Sequence, residues 1–160
     1  MSALLEALHS GRHDRVAELL AEEPELGLFE AAALGRSDRL QELLEQARER
    51  ANEYGDDGFQ PLGLACFYGH VEAARVLLDH GADPNTLARN EYIQSNALHA
   101  AAAAENKDEA TRFELCELLL DRGADPNLRQ GTGDFRAIDA ARQSGDERLE
   151  RLLLDRGAET

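Results

Sequence analysis

Val76-Leu77-Leu78-Asp79-His80-Gly81-Ala82-Asp83-Pro84-Asn85 returns 42 residues later as Leu118-Leu119-Leu120-Asp121-Arg122-Gly123-Ala124-Asp125-Pro126-Asn127. A third version, Leu152-Leu153-Leu154-Asp155-Arg156-Gly157-Ala158-Glu159, stands near the end of the sequence. Self-similarity on this scale marks a repeat array and takes precedence over local readings. Upstream of each block lies an Ala-rich segment: Pro61-Leu62-Gly63-Leu64-Ala65, Ala97-Leu98-His99-Ala100-Ala101 and Ala137-Ile138-Asp139-Ala140-Ala141.

Two fainter units precede these three. Leu28-Phe29-Glu30-Ala31-Ala32-Ala33-Leu34-Gly35 leads to Leu40-Gln41-Glu42-Leu43-Leu44, and Leu4-Leu5-Glu6-Ala7-Leu8-His9-Ser10-Gly11 leads to Val16-Ala17-Glu18-Leu19-Leu20. The offset from glycine to leucine is eight residues in Gly11–Leu19, Gly35–Leu43, Gly69–Leu77 and Gly145–Leu153. The reading is therefore one domain of five units, approximately 1–26, 27–53, 54–86, 87–128 and 129–160.

Each unit reads as two short helices. Val16, Leu19 and Leu20, or Ala73, Val76 and Leu77, keep the three-four spacing of one helical face. Gly11, Gly35, Gly69 and Gly145 are expected to close first helices, where a left-handed backbone suits glycine. The fourth unit lacks such a glycine, and Pro84 and Pro126 forbid continuation of the second helix. Neither helix buries its apolar face alone, so neighbouring units must stack.

Composition agrees with such an array. Hydrophobic residues make up 42% of 160, aromatics only 5%, and there is no Trp, so the core must rest on Leu and Ala. No run approaches the ~20 apolar residues of a membrane span, and Met1-Ser2-Ala3-Leu4-Leu5-Glu6 lacks the basic and apolar regions of a signal peptide. A cytoplasmic protein is expected. The net charge of −15 disfavours a phosphate backbone as partner and serves solubility first, although it could attract a basic partner. Sixteen of the basic residues are Arg and one, Lys107, is Lys.

The repeated segments resemble the ankyrin repeat, a unit of about 33 residues marked by T-P-L-H-x-A. Gln60-Pro61-Leu62-Gly63-Leu64-Ala65, Asn96-Ala97-Leu98-His99-Ala100-Ala101 and Arg136-Ala137-Ile138-Asp139-Ala140-Ala141 carry that match, joined by Gly69-His70 and the Gly-Ala-Asp-x-Asn endings. The resemblance covers nearly the whole chain. It implies an all-α solenoid of stacked helix pairs with short β-hairpin or loop fingers, and a role in binding another protein rather than in catalysis.

Departures from the pattern locate where this chain is particular. Gly11 and Gly35 are only 24 residues apart, which leaves no room for a hairpin between the first two units and makes the first look like a cap. Leu62 and Leu98 are 36 apart, so the finger over residues 86–95 is long. Leu98 to Leu119 spans 21 residues against 15 from Leu62 to Leu77, an insertion around residues 105–111. Insertions in repeat arrays map to loops on one face, often the binding face.

No constellation of catalytic spacing emerges, and no enzyme activity, cofactor or metal is expected. His9 and His13 are separated by Gly11 at a helix end, with no third ligand in reach. The resemblance gives His99 the role of bracing backbone. Gly131-Thr132-Gly133 lacks the strand and Lys-Ser/Thr of a phosphate loop and reads as the tip of the last finger. Cys66 and Cys116 form no metal or disulfide pattern and read as inert core thiols.

By position in the family, the partner surface would comprise Asp56, Asp57, Phe59, Phe67 and Tyr68 in the third unit, Arg89, Glu91, Tyr92 and Ile93 in the fourth, and Phe135 and Gln143 in the last. The aromatics are its expected anchors, while Asp56 and Asp57 would favour an Arg- or Lys-bearing ligand; Phe59 and Phe135 could equally brace their own fingers. The chain is expected to act as a monomer that binds another protein, with self-association as the alternative.

Overall fold

The computed structural model of the protein describes residues 1–104 and 107–160. Its α-helices form five pairs: α1 (Ala3–His9) with α2 (His13–Ala21), α3 (Leu28–Leu34) with α4 (Ser37–Gln46), α5 (Pro61–Phe67) with α6 (Val71–Asp79), α7 (Ala97–Ala102) with α8 (Glu109–Asp121), and α9 (Ala137–Ser144) with α10 (Glu147–Asp155). The first helices pack in a row, α1 on α3, α3 on α5, α5 on α7 and α7 on α9. A second row runs α4, α6, α8, α10. This is a helical repeat solenoid.

Local chemistry sets the helix ends. Pro61 opens α5, where its missing N–H costs nothing. The side chains of Ser2, Asn96, Asp108 and Asp146 accept backbone N–H groups at the starts of α1, α7, α8 and α10, at 3.2, 2.8, 2.7 and 3.0 Å. The turn after α5 shows how a first helix stops. Gly69 adopts φ +76°, and the His70 amide reaches back to the Ala65 carbonyl at 2.8 Å. The same return bond closes the turns after α1, α3 and α9.

Leu and Ala build the core, as the composition required. Leu28, Leu40, Leu44, Leu77, Leu98, Leu115, Leu119, Ile138, Leu149 and Leu153 are fully buried, with Ala31, Ala32, Ala65, Ala73, Ala101 and Ala141 between them. Each such leucine contributes about 1.5–3 kcal/mol relative to an exposed one. Cys66 and Cys116 are both buried in this core as free thiols.

An asparagine ladder stitches successive pairs together beside the second helices. Asn85 donates to the Gly123 carbonyl at 2.9 Å and accepts from the Asp125 amide at 2.7 Å. Asn127 repeats this with Gly157 and Glu159, at 2.9 and 2.8 Å. Asn52, in a 3₁₀ turn over Arg48–Asn52, does the same toward Gly81 and Asp83.

Part of the insertion is helical: Asp108 caps a helix that takes up Glu109–Thr111, so α8 has 13 residues where α6 and α10 have nine. Glu105 and Asn106 lie outside the described residues. The extra turn brings Arg112 to Asp146, a buried pair at 3.5 Å that ties α8 to the start of α10. The fingers contain no strand among the described residues; they are loops closed by single bonds such as Gly55 N to Phe59 O (2.9 Å) and Gln130 N to Phe135 O (2.8 Å). Between the first two pairs only a short link, residues 22–27, is present. Helix α2 stands apart from the second-helix row and has no buried residue, Val16, Leu19 and Leu20 being half-covered. No helix among the described residues is long and apolar enough to cross a membrane.

Candidate functional site

The three fingers lie side by side and are bonded to one another. Gly58 is central to this. Its φ is +83°, and a Cβ there would fall 2.5 Å from the backbone of Arg89 and Asn90, so only glycine lets the third and fourth fingers meet. The Arg89 amide then donates to the Gly58 carbonyl at 2.7 Å, and the Asn90 side chain donates to the Asp57 carbonyl at 2.7 Å. Arg89 lies over the Tyr54 ring at 4.0 Å, and the Tyr54 hydroxyl donates to the Leu87 carbonyl at 3.0 Å. On the other side, the Gly131 amide donates to the Gln94 carbonyl at 3.0 Å.

The tip of the fourth finger is shaped chiefly by the Asn90 side chain. Asn90 Oδ1 accepts from the amides of Tyr92 and Ile93, at 2.9 and 3.0 Å. The turn so formed leaves Tyr92 79% exposed and Ile93 half exposed. Phe135 on the next finger and Phe67 at the end of α5 are exposed as well. Glu91 and Gln143 are solvent-facing. These apolar groups gain nothing from the fold by standing in water. Arg129 and Asp134, at the base and tip of the fifth finger, are paired at 2.9 Å.

The acidic end of the predicted surface is arranged otherwise. Asp56 is 87% exposed and meets the Met1 amino group at 3.0 Å. Asp57, by contrast, keeps only 8% of its side chain exposed. Its Oδ1 accepts from the Phe59 amide at 3.1 Å, and its Oδ2 accepts from His9 Nε2 at 2.9 Å. The other nitrogen of His9, Nδ1, lies 2.7 Å from the Tyr68 hydroxyl. Phe59 packs half-buried against the core with its ring 5.9 Å from that of His9, and Phe67 stands edge-on to Tyr68 at 5.0 Å. Burial, with Asp57 nearby, pushes the Tyr68 phenol up to about 12, so it stays protonated. Asp57, Phe59 and Tyr68, expected on the open partner surface, are thus part-covered: His9 at the end of α1 lies against them, and Phe59 takes its bracing alternative by packing on the core.

The sequence offers His9 only as a metal ligand with His13; its actual partners are 48 and 59 residues away. His99 also differs from expectation. Its ring faces the side-chain amide of Gln130, at 2.5 Å from Nδ1 and 2.9 Å from Nε2, rather than backbone, because the fifth finger projects that amide over α7. His70 braces the backbone of the preceding pair, with Nε2 donating to the Ala33 carbonyl at 2.9 Å. Burial lowers the proton affinity of both rings. Among the described residues, no group of three or more His, Cys, Asp or Glu side chains is placed to hold a metal ion. Open clefts occur elsewhere, by Pro24–Leu26 with Gly35–Arg39 and along Gly11–Arg15.

Residues 28–130 match the family described as ankyrin repeats, in three copies. The chain belongs to the ankyrin-repeat family. A comparison with curated proteins gives no match. Ankyrin repeats are in general protein–protein interaction modules, and the finger side of this ankyrin array is where its exposed aromatic residues gather.

Proposed function

We propose that this ankyrin array is a non-catalytic interaction module, an adaptor, scaffold or inhibitor, that binds a protein partner across its fingers and first-helix ends. The observation that carries the reading is the exposure of Phe67, Tyr92, Ile93 and Phe135, with Tyr92 and Ile93 on a turn tied by Asn90. Interfaces draw much of their energy from a few aromatic anchors, and preorganised ones lose least on binding. Arg89, Glu91 and Gln143 form the polar rim of the same surface. A charge of −15 sets two copies against each other, so the array acts as a monomer in this reading. Its setting is the cytoplasm, where thiols stay reduced.

The test is a binding measurement on the partner recovered by pull-down, with the doubly substituted Phe67→Ala/Tyr92→Ala protein. Binding should fall by tenfold or more, about 1.4 kcal/mol, while the melting temperature stays within about 2 °C of the parent. Unchanged binding by the double variant would remove the reading.

A further inference from the structure

We propose that Asp57, Tyr68 and Phe59 form a receptor for a guanidinium group of the partner, and that His9 is its resident occupant in the free protein. The partner invoked is that of the interaction reading above; the receptor itself stands on its own geometry.

A carboxylate as enclosed as that of Asp57 must be matched by donors, because an unmatched buried charge is costly. One oxygen is matched locally by the Phe59 amide, whereas Oδ2 depends on the His9 ring. A carboxylate only accepts, so Nε2 of His9 carries a proton; Nδ1 then accepts from the Tyr68 hydroxyl, or donates to it when the ring is charged. The receptor therefore asks for a flat group with nitrogens at two edges, one donating to a carboxylate and one facing a phenol. The Phe59 ring, its centroid 5.9 Å from that of the imidazole and steeply inclined to it, and the Tyr68 ring, nearly parallel to the imidazole with centroids 6.1 Å apart, give the receptor aromatic walls. Guanidinium meets this demand better than imidazole does. It is planar, permanently charged, offers five donors and favours aromatic surroundings. An ammonium lacks the plane.

The occupant is easily released. His9 is the last residue of α1, and its side chain retains 24% exposure. A side-chain rotation removes it without disturbing Leu4, Leu5 or Ala7, which anchor the helix. The pair α1–α2 is also the least integrated of the array, since α2 buries no residue. Displacement by an arginine would add Asp57, Phe59 and Tyr68 to the surface already offered by Phe67.

The experiment uses the full chain, with N-acetyl-arginine amide as probe and N-acetyl-norleucine amide as its uncharged counterpart, followed by NMR. His9→Ala protein should bind the arginine probe saturably, with shifts centred on residues 57–59 and 67–68. Wild-type protein should need about tenfold more probe, and its His9 ring nitrogens should shift as they are displaced. Asp57→Asn on the His9→Ala background should abolish the response, and the norleucine probe should give none. Equal affinity of wild type and His9→Ala, indifference to Asp57→Asn, or shifts scattered over the acidic second helices would each overturn the proposal. Should His9→Ala unfold the first pair, the wild-type displacement decides: His9 nitrogens unmoved by excess probe overturn it. Failure here leaves partner capture through Phe67 and Tyr92 unaffected, so the two readings fall separately.

Discussion

Asn52 holds Gly81 across 29 residues of chain: its side chain donates to the Gly81 carbonyl at 2.9 Å while accepting from the Asp83 amide at 2.7 Å. Asn85 and Asn127 make the same pair of bonds one step further along. Each bond contributes about 0.5–1.5 kcal/mol net. Asn52→Ala should therefore destabilise by about 1–2 kcal/mol, and Asn52→Asp, which keeps the acceptor but loses the donor, by less. Urea unfolding midpoints of the two variants check the order.

Burial is uneven along the array, and substitutions should report it. Leu77 is wholly enclosed between the helix rows, so Leu77→Ala leaves a cavity and costs about 2–5 kcal/mol. Val16 occupies an equivalent apolar stripe on α2, yet α2 buries nothing. Val16→Ala should cost under about 1 kcal/mol, since surface changes seldom exceed 0.5. Equal losses at the two positions would contradict the loose attachment of α2.

Acid should weaken the fold before its carboxylates titrate. Burial lowers the proton affinity of His70, against the opposing bond to Ala33 and with help from Lys107, and burial lowers that of His99. An unfolded histidine titrates near 6.5. Just below that pH the unfolded chain binds more protons than the folded one, so stability rises with pH in this window. The contribution is complete above about 6.5 and is lost as pH falls through the lower folded values. Denaturation midpoints at pH 7.5 and pH 5 should show the drop, and His70→Gln should shrink it.

What the sequence made legible was local or periodic. The eight-residue step from Gly69 to Leu77 reflects one turn and one helical face, both settled by neighbouring residues. Asn52 went unread because its unit replaces Gly-Ala-Asp-Pro with Arg48-Glu49-Arg50-Ala51, although it lies 33 residues before Asn85, one family period. Repeat length locates the insertion but does not show its form: Asp108 and the helix formers after it extend α8 over Glu109–Thr111. At the candidate site, Phe67 and Tyr92 could be placed on the finger side from repeat position alone. That Asp57 and Tyr68 would be covered by His9 could not. That contact depends on the missing finger between the first two pairs, which lets the end of α1 reach the third unit.

Thiol chemistry offers a sharper check on the core. Burial pushes the Cys66 thiol up to about 12 and raises that of Cys116 as well. Thiolate is the reactive form, so neither residue should react with iodoacetamide in the native protein near neutral pH. Both should be alkylated in denaturant, as read by intact mass. Labelling of native Cys116 would place a local opening between α7 and α8.

Asn90 separates the contribution of posture from that of contact surface. Its two acceptor bonds fix the amides of Tyr92 and Ile93, and its donor bond ties the fourth finger to the third. Asn90→Ala removes all three without touching an aromatic ring. Amide exchange at residues 92 and 93 should accelerate, and global stability should fall by about 1–2 kcal/mol at most, given the exposure of the site. Partner binding should weaken about fivefold to tenfold as the freed loop must be reordered on docking. Asn90→Asp retains the acceptors and should recover much of the amide protection, while losing the bond to the Asp57 carbonyl. Faster exchange in Asn90→Ala with undiminished binding would mean that the tip is not the contact; slower binding in proportion to exchange would show that its rigidity is what the partner uses.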